Sequence, residues 1–517
     1  MTGISRRVLL AGLGAPFVIS SARRAFSCGN GETLRIRCSQ DFSSFDPADC
    51  WYEDAIIARN IFAPLVRYKH RASEDESWAW ENHLVKQIGD DGGMRFQFDL
   101  RDNEDWPGGA AVSSDDVQYS LERIAGKGAN PIKAENRYLL SKLDHVEVQS
   151  AQSGTIKLTS KDDFRLTTLP TQVGCIISRK HVDSLVDKKF DLSPGPTSGR
   201  YALTGVYRGD RAELACDETW QGDAVTYSKA LFRYVPDDEA AQKMVKAGEI
   251  DVYRASPDVL HFVGQPGFLS DKGLIHRASS SSVLYLFIST ISNAMRRPEA
   301  RRAVQLAIDP QTTAAAAYGE LLGKAARGLI APGWEGSPTE PLIAFDPDEG
   351  KRLAVKAGIG ATALTCVYRA NSPIQQRAIA KIAEQLKAVG IELKAIEVEA
   401  PQVAEAFSKG DADIGLFYAS ASPGSITDAM ATFTSESPFV KLQGQAYQSA
   451  KFDQMFSATN ESPSPEGYLS LQKFLVEEGA VLPLAEDFEA WWIVNGILPS
   501  FSPDGLIGDL GSWTTDK

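Results

Sequence analysis

Apolar and polar positions change their rhythm along this chain, and the change divides it. Residues 33–38 (TLRIRC) alternate with the period of two that a half-buried strand requires. A polar stretch from Ser39 to Asp49 follows, and Asp54 to Tyr68 (DAIIARNIFAPLVRY) then reads as a helix leading into another strand. Residues 94–100 (MRFQFDL) alternate again, with Arg95, Gln97 and Asp99 on one face. The turn Asp90-Asp91-Gly92-Gly93 before them predicts a hairpin over 84–100. Ser113 and Ser114 with Asp116, followed by Val117, Leu121 and Ile124, mark a capped helix. Residues 181–233 carry short strands and turns, and 238–248 (DEAAQKMVKAG) is a helix closed by Gly248.

From about residue 283 helix alternates with strand. Helices are expected over 298–308, 376–390 and 401–409, and apolar strands over 363–368 (ALTCVY), 391–397 (IELKAIE) and 413–418 (DIGLFY). That alternation predicts an α/β lobe. A helix over 465–478 and two short strands, Val481 to Ala485 and Trp491 to Val494, close the pattern. No internal repeat or linker interrupts it, so the lobes are expected to be joined by short crossings.

Length and charge refine this picture. A chain of 517 residues, 43% hydrophobic, is too long for one compact domain and suits two or three lobes. Arg6 and Arg7, the apolar run Val8 to Ser20 and the small residues Ser20, Ser21 and Ala22 read as an export signal over 1–27. Ser5-Arg6-Arg7-Val8-Leu9-Leu10 resembles a twin-arginine signal, with an ordinary secretory signal as the alternative. Ala25-Phe26-Ser27 lacks the aliphatic residue that a lipoprotein places three positions before its cysteine, here Cys28. No later segment offers 18 consecutive apolar residues, so the mature chain is expected to be soluble; the export signal makes the periplasm its expected location, and a monomer is expected. The net charge is −13, and loss of the arginine-bearing signal makes it more acidic still. Such a surface repels nucleic acid and anionic lipid.

Six cysteines (28, 38, 50, 175, 216, 366) show no CxxC spacing, which argues against a zinc site. In an oxidising compartment one disulfide among Cys38, Cys50, Cys175 and Cys216 is compatible with the sequence, as are buried free thiols. There is no P-loop, GxGxxG, HExxH or GxSxG. The histidines at 70, 83, 145, 181, 261 and 276 are scattered, with no nucleophile in a recognisable setting. An enzyme is therefore not expected, nor a cofactor or metal site.

Nine segments, read in order, carry a resemblance. They are Leu34-Arg35-Ile36 with Phe45-Asp46-Pro47; Ile61 to Val66; Leu84 to Asp102; Trp106-Pro107-Gly108-Gly109 with Val112 to Val117; Ser198 to Leu203; Ala247 to Asp251; Arg297 to Asp309; Phe345 to Gly358; and Gly410 to Tyr418. Together they resemble the peptide/nickel class of periplasmic solute-binding proteins, family 5, the dipeptide and oligopeptide receptors of ABC importers. The resemblance spans roughly 33–490. It implies a two-lobed α/β fold of the periplasmic-binding-protein type (type II-like), with an extra small domain in the first lobe and a hinge of two chain crossings. The implied limits are lobe I over 28–280 with the extra domain at about 70–185, lobe II over 281–487, and a return to lobe I over 488–517. The crossings are expected near Ser279–Val283 and Ala485–Ala490.

The resemblance implies an extracytoplasmic receptor that captures a small ligand between its lobes and delivers it to an inner-membrane ABC permease. It places ligand contacts at Trp51 and Tyr52, at Ser280, Ser281 and Tyr285, at Tyr418, Ser420 and Ser422, and near the second crossing at Phe488, Trp491 and Trp492. Arg369 could pair with a ligand carboxylate or stand in solvent. Any of the aromatics could equally be core. Peptide receptors of this family commonly place an Asp where this chain has Ser422. A peptide amine would then need Asp428 or another acid, and the hydroxyls of Ser420 and Ser422 suit sugars, neutral polar groups or carboxylates. The expected ligand is peptide-like, with opine-like conjugates or oligosaccharides as alternatives. A chaperone or partner-binding role on the same scaffold is the alternative from a different class.

Overall fold

A computed structural model of the chain describes residue 28 and residues 32–71, 73–102, 105–106, 110–128, 131–218, 224–256, 272–360, 363–420, 426–437 and 446–515. The export signal over 1–27, His261, Ser422 and the side chain of Asp428 lie outside the described residues.

Local chemistry sets the element limits. The helix Ser114–Ala125 opens on a capping box: the Ser113 hydroxyl accepts from the Asp116 amide, and Asp116 accepts from the Ser113 amide at 3.0 Å. It ends at Gly126, whose φ of 71° is the left-handed cap that glycine adopts without strain. The helix Asp238–Ala247 closes the same way at Gly248. The helices Pro298–Ala307, Pro310–Tyr318, Pro347–Ala357, Pro373–Ala388 and Pro465–Glu477 each begin on proline, which costs no hydrogen bond in the first turn. The polar stretch after Cys38 is held from below. Asp54, in the helix Tyr52–Ile61, accepts from the Ser43 amide at 2.9 Å and the Ser44 amide at 3.0 Å. Asp46 forms a buried ion pair with Arg123 at 2.6 Å.

One ten-stranded mixed sheet organises the molecule. Its order is Tyr201–Tyr207, Arg211–Cys216, Lys229–Tyr234, Thr33–Cys38, Val252–Ala255, Val481–Val494, Gly273–Ile288, Ile414–Ser420, Leu364–Arg369 and Leu393–Val398. The two central members, Gly273–Ile288 and Val481–Val494, are long antiparallel partners that run through both halves. The residues expected as two short strands, Val481 to Ala485 and Trp491 to Val494, belong to this single strand. Its apolar ends serve different halves: Val252–Ala255 pairs with 490–493, whereas Ile414–Ser420 pairs with residues 282–288 of the other central strand. A four-stranded sheet (Val85–Ile88, Arg95–Leu100, Ser153–Leu158, Leu143–Ser150) stands apart and packs on the helix Ser114–Ala125.

The register of the central pair breaks at two places, between Ser279 and Val283 and between Leu284 and Tyr285. Ser279 pairs with Phe488 and Val283 with Glu486, so Ser280, Ser281 and Ser282 bulge opposite the single residue Asp487. Three apolar cores surround this frame. One lies under the first half of the sheet (Leu34, Ile36, Phe62, Tyr201, Trp491, Trp513). One fills the small sheet (Phe96, Phe98, Leu121, Ile156). The largest lies under the second half (Tyr285, Phe287, Val304, Ile382, Leu482).

The cysteine pairing differs from expectation. The disulfide joins Cys28 to Cys216, with Cα atoms 5.7 Å apart, while Cys38, Cys50, Cys175 and Cys366 are buried free thiols. Cys28 was outside the candidate set because nothing in its neighbours places it beside the strand Arg211–Cys216; the isolated bridge between Cys28 and Val225 does that in space. The pair Glu249 and Asp251 is structural: Asp251 takes Arg35 at 2.6 Å and Glu249 takes Arg233 at 3.3 Å.

Candidate functional site

The bulge that interrupts the central strands gathers polar side chains at the junction of the two halves. Asp487 Oδ1 accepts from the Tyr318 hydroxyl at 2.8 Å, and Oδ2 accepts from the Ser280 hydroxyl at 3.3 Å. Tyr318 closes the helix Pro310–Tyr318 and is hydrogen-bonded in turn to Tyr418 on the strand Ile414–Ser420. Next to them the Ser282 and Ser420 hydroxyls meet at 2.7 Å. The result is a carboxylate bonded to two hydroxyls, with further hydroxyls beside it, drawn from three elements. Burial pushes Asp487 up to about 6; the Tyr318 hydrogen bond opposes the shift, and the nearby Glu489 carboxylate adds to it. Among the described residues Asp487 makes no ion pair.

Two residues along the same strand stands a second cluster. Arg254 is held by both oxygens of Glu489, at 2.8 and 2.7 Å, and its Nη1 lies 4.0 Å from Glu53. Its guanidinium sits 5.2 Å over the Tyr52 ring. Glu53 is 4% exposed; one oxygen accepts from the amide and hydroxyl of Ser39, at the carboxyl end of the strand Thr33–Cys38, and Oε2 has no partner. Tyr52 reaches this position with a left-handed backbone, φ 45°, a conformation that costs a non-glycine residue about 1 kcal/mol.

The residues expected from the sequence fall into three groups. Ser280, Tyr418, Ser420 and Tyr52 stand at the junction, and Arg369, exposed at the end of Leu364–Arg369, acts electrostatically on the Tyr418 phenol. Trp51 is exposed and stacks on Tyr138 at 6.2 Å, its indole N–H donating to Glu135 at 3.1 Å. The third group is buried. Trp491 is 0% exposed, packed in the first core with its indole N–H donating to the Gly505 carbonyl at 2.9 Å. Tyr285, also fully buried, lies between Phe417 and Phe433. Ser281 is buried as a linker, accepting from the Trp334 indole at 3.1 Å and donating to the Pro503 carbonyl at 2.7 Å. Phe488 and Trp492 are buried as well. Residues 487, 489 and 491 share one face of the strand and 488, 490 and 492 the other; at Trp491 and Trp492 core covers both faces, whereas Asp487 and Glu489 lie where polar partners gather at the junction. Asp487, Glu489, Arg254, Glu53 and Tyr318 stand at the junction without having been singled out from the sequence. The acidic run Glu486-Asp487-Phe488-Glu489 inside an apolar strand was the available signal.

Among the described residues no group of three metal-ligating side chains occurs, and no helix is long and apolar enough to cross a membrane. Two halves threaded by two paired strands, with polar groups gathered at their junction, make the two-lobed α/β fold of periplasmic binding proteins. The model described as bacterial extracellular solute-binding proteins, family 5 middle, matches residues 79–440, and the chain belongs to that family. The chain is 22% identical over 473 residues to the probable D,D-dipeptide-binding periplasmic protein DdpA of Escherichia coli K12, covering 88% of each. In fold it resembles HbpA2 of Haemophilus parasuis (TM-score 0.79, 16% identity, 94% of this chain and 100% of that one). It also resembles the ABC transporter substrate-binding protein CtaP of Listeria monocytogenes (TM-score 0.77, 19% identity, 94% and 100%).

Proposed function

We propose that this chain is the extracytoplasmic receptor of an ABC importer, taking a small peptide-like solute at the junction of its lobes and delivering it to an inner-membrane permease. The junction carries this reading. Both crossing strands pass from lobe to lobe there, and a solute touching both sides stabilises one relative arrangement of the lobes over others. The peptide-like class is supported by the relative named as a D,D-dipeptide-binding protein. Arg369, on the lobe II side, is suited to a ligand carboxylate. The lobe limits that go with this reading are 28–280 with 488–517 for the first lobe, about 70–185 for its extra domain, and 281–487 for the second. The chain acts as a periplasmic monomer once residues 1–27 are removed.

The test is a thermal-shift screen of the chain lacking 1–27 against peptides, opine-like conjugates, oligosaccharides and metal ions. A ligand at about 100 times its dissociation constant stabilises the folded state by about 2.7 kcal/mol. A raised melting temperature with peptides is the expected result. No shift with any class, in protein shown by native mass spectrometry to be empty, would overturn the receptor reading in favour of a partner-binding role.

A further inference from the structure

We propose that the cavity enclosed by the helix Tyr52–Ile61, the strand Val66–Tyr68 and the C-terminal segment 500–509 is a binding site for one small inorganic anion of halide size. None of the junction residues lines it, and the inference holds whichever solute the junction takes.

Size and charge select the occupant. The cavity is about 30 Å³ and is lined by Arg59, Arg67, Tyr68, His83, Arg200 and Asp509 among others. That volume holds about two water-sized particles, which excludes a peptide, a sugar or a phosphate ester. Three of the lining groups are guanidiniums, whose side chains are only 7%, 14% and 3% exposed at Arg59, Arg67 and Arg200. Two buried carboxylates meet them: Asp504 pairs with Arg59, and Asp509 lies 2.8 Å from Arg67 and 3.5 Å from Arg200. The third acid, Glu81, reaches Arg67 at 2.6 Å from the side open to solvent, where water screens its charge. The interior is therefore positive. Burial would raise the Asp504 and Asp509 carboxyls, yet the arginines hold both below their usual range. Burial, and after it Arg67, pushes the His83 imidazole well below its ordinary range, so the ring adds no charge at neutral pH.

The donors point the same way. Arg59 Nη1 donates to the Ser502 hydroxyl at 2.7 Å and Nη2 to Gln172 at 3.0 Å, and both reach Asp504. Its Nε is buried without a partner among the described residues. The Tyr68 hydroxyl is buried without one as well. Burial, then Asp504, raises that phenol while Arg59 opposes the shift, so the three groups lie within one another's electrostatic reach. A buried N–H and O–H left unmade are unfavourable. A water can satisfy either donor, but a monovalent anion accepts from both and also offsets the surplus positive charge. The site would brace the crossing strands. Ser281 of the bulge donates to the Pro503 carbonyl at 2.7 Å, and Ser280 bridges to Asp504, the partner of Arg59. An anion that fixes Arg59 thereby fixes the segment on which the bulge rests.

The test uses chloride and bromide with the chain lacking 1–27 and its Tyr68→Phe variant, which keeps the ring and the Arg59–Asp504 pair and removes one donor. Melting temperature is followed from about 5 to 200 mM chloride, with gluconate, too large for the cavity, holding the ionic strength constant. The expected result is a rise with chloride in the unmodified protein, and a halide dissociation constant weakened about tenfold in the variant. Crystals grown in bromide should show an anomalous peak within hydrogen-bond reach of Arg59 Nε and the Tyr68 hydroxyl. Circular dichroism establishes that the variant is folded. Bromide confined to the surface would overturn the site and leave water as its occupant. A melting temperature indifferent to the anion, or a chloride dependence that Tyr68→Phe leaves intact, would do the same. The solute screen is read separately at fixed chloride, so neither result decides the other.

Discussion

Replacing Asp487 by Asn should make the empty protein more stable at neutral pH, even though it removes a hydrogen-bonded carboxylate. The carboxyl is raised from 3.8 to about 6 by burial first. A raised value means that the folded state binds the proton more tightly than the unfolded chain. The associated stability is therefore fully present below about pH 4 and is lost as pH rises through about 6. Roughly two units at 1.36 kcal/mol each give a ceiling of about 3 kcal/mol at pH 7 and above. Asn keeps the shape and can still accept from Tyr318, but it does not ionise. Urea midpoints of both proteins, without ligand, at pH 4, 5, 6, 7 and 8 read the effect. The two curves should nearly coincide at pH 4 and separate up to pH 7, with the variant the more stable. A pH-independent gap, or a variant less stable at pH 7, would show that a cation already neutralises Asp487 and would refute the reasoning.

Other perturbations test the frame around the site. Replacing Cys28 and Cys216 by Ser opens a loop of sequence separation 188, with a chain-entropy ceiling of about 5 kcal/mol; unfolding with and without reductant measures it, and peptide mapping should recover the 28–216 link. Arg123→Ala leaves Asp46 buried without its partner and should cost about 3–5 kcal/mol in denaturant unfolding. Trp491→Ala should cost about 3–5 kcal/mol as a core cavity, whereas Trp51→Ala, losing an exposed stack on Tyr138, should cost about 1 kcal/mol; equal costs would contradict the burial assignments. Ser113→Ala removes the helix cap and should cost about 1 kcal/mol, read in the same assay.

The contrast between Trp491 and Asp487 shows how far the sequence could be read. Both lie on one strand, four residues apart, and the crossing itself was legible from the resemblance. Which of its side chains faces the junction was not. Residues four apart on a strand share a face, so the alternation of the sequence does not separate them; what packs over that face at each point along the strand does, the first core over Trp491 and the Tyr318 and Ser280 hydroxyls over Asp487. The mark that the bulge leaves in the sequence is the run Ser279-Ser280-Ser281-Ser282, a residue type favoured in turns and irregular backbone.

What the sequence by itself determined is the set of local structures and the family. Caps, turns and periodicity define elements through contacts a few residues long, and nine ordered segments sufficed for the assignment. Tertiary structure alone decided the long-range pairings. It brought Cys28 to Cys216, Asp46 to Arg123, and Tyr318 and Ser280 to Asp487. These contacts join residues 77 to 207 positions apart, and such pairs are chosen by the packing of whole sheets rather than by any neighbour in the chain.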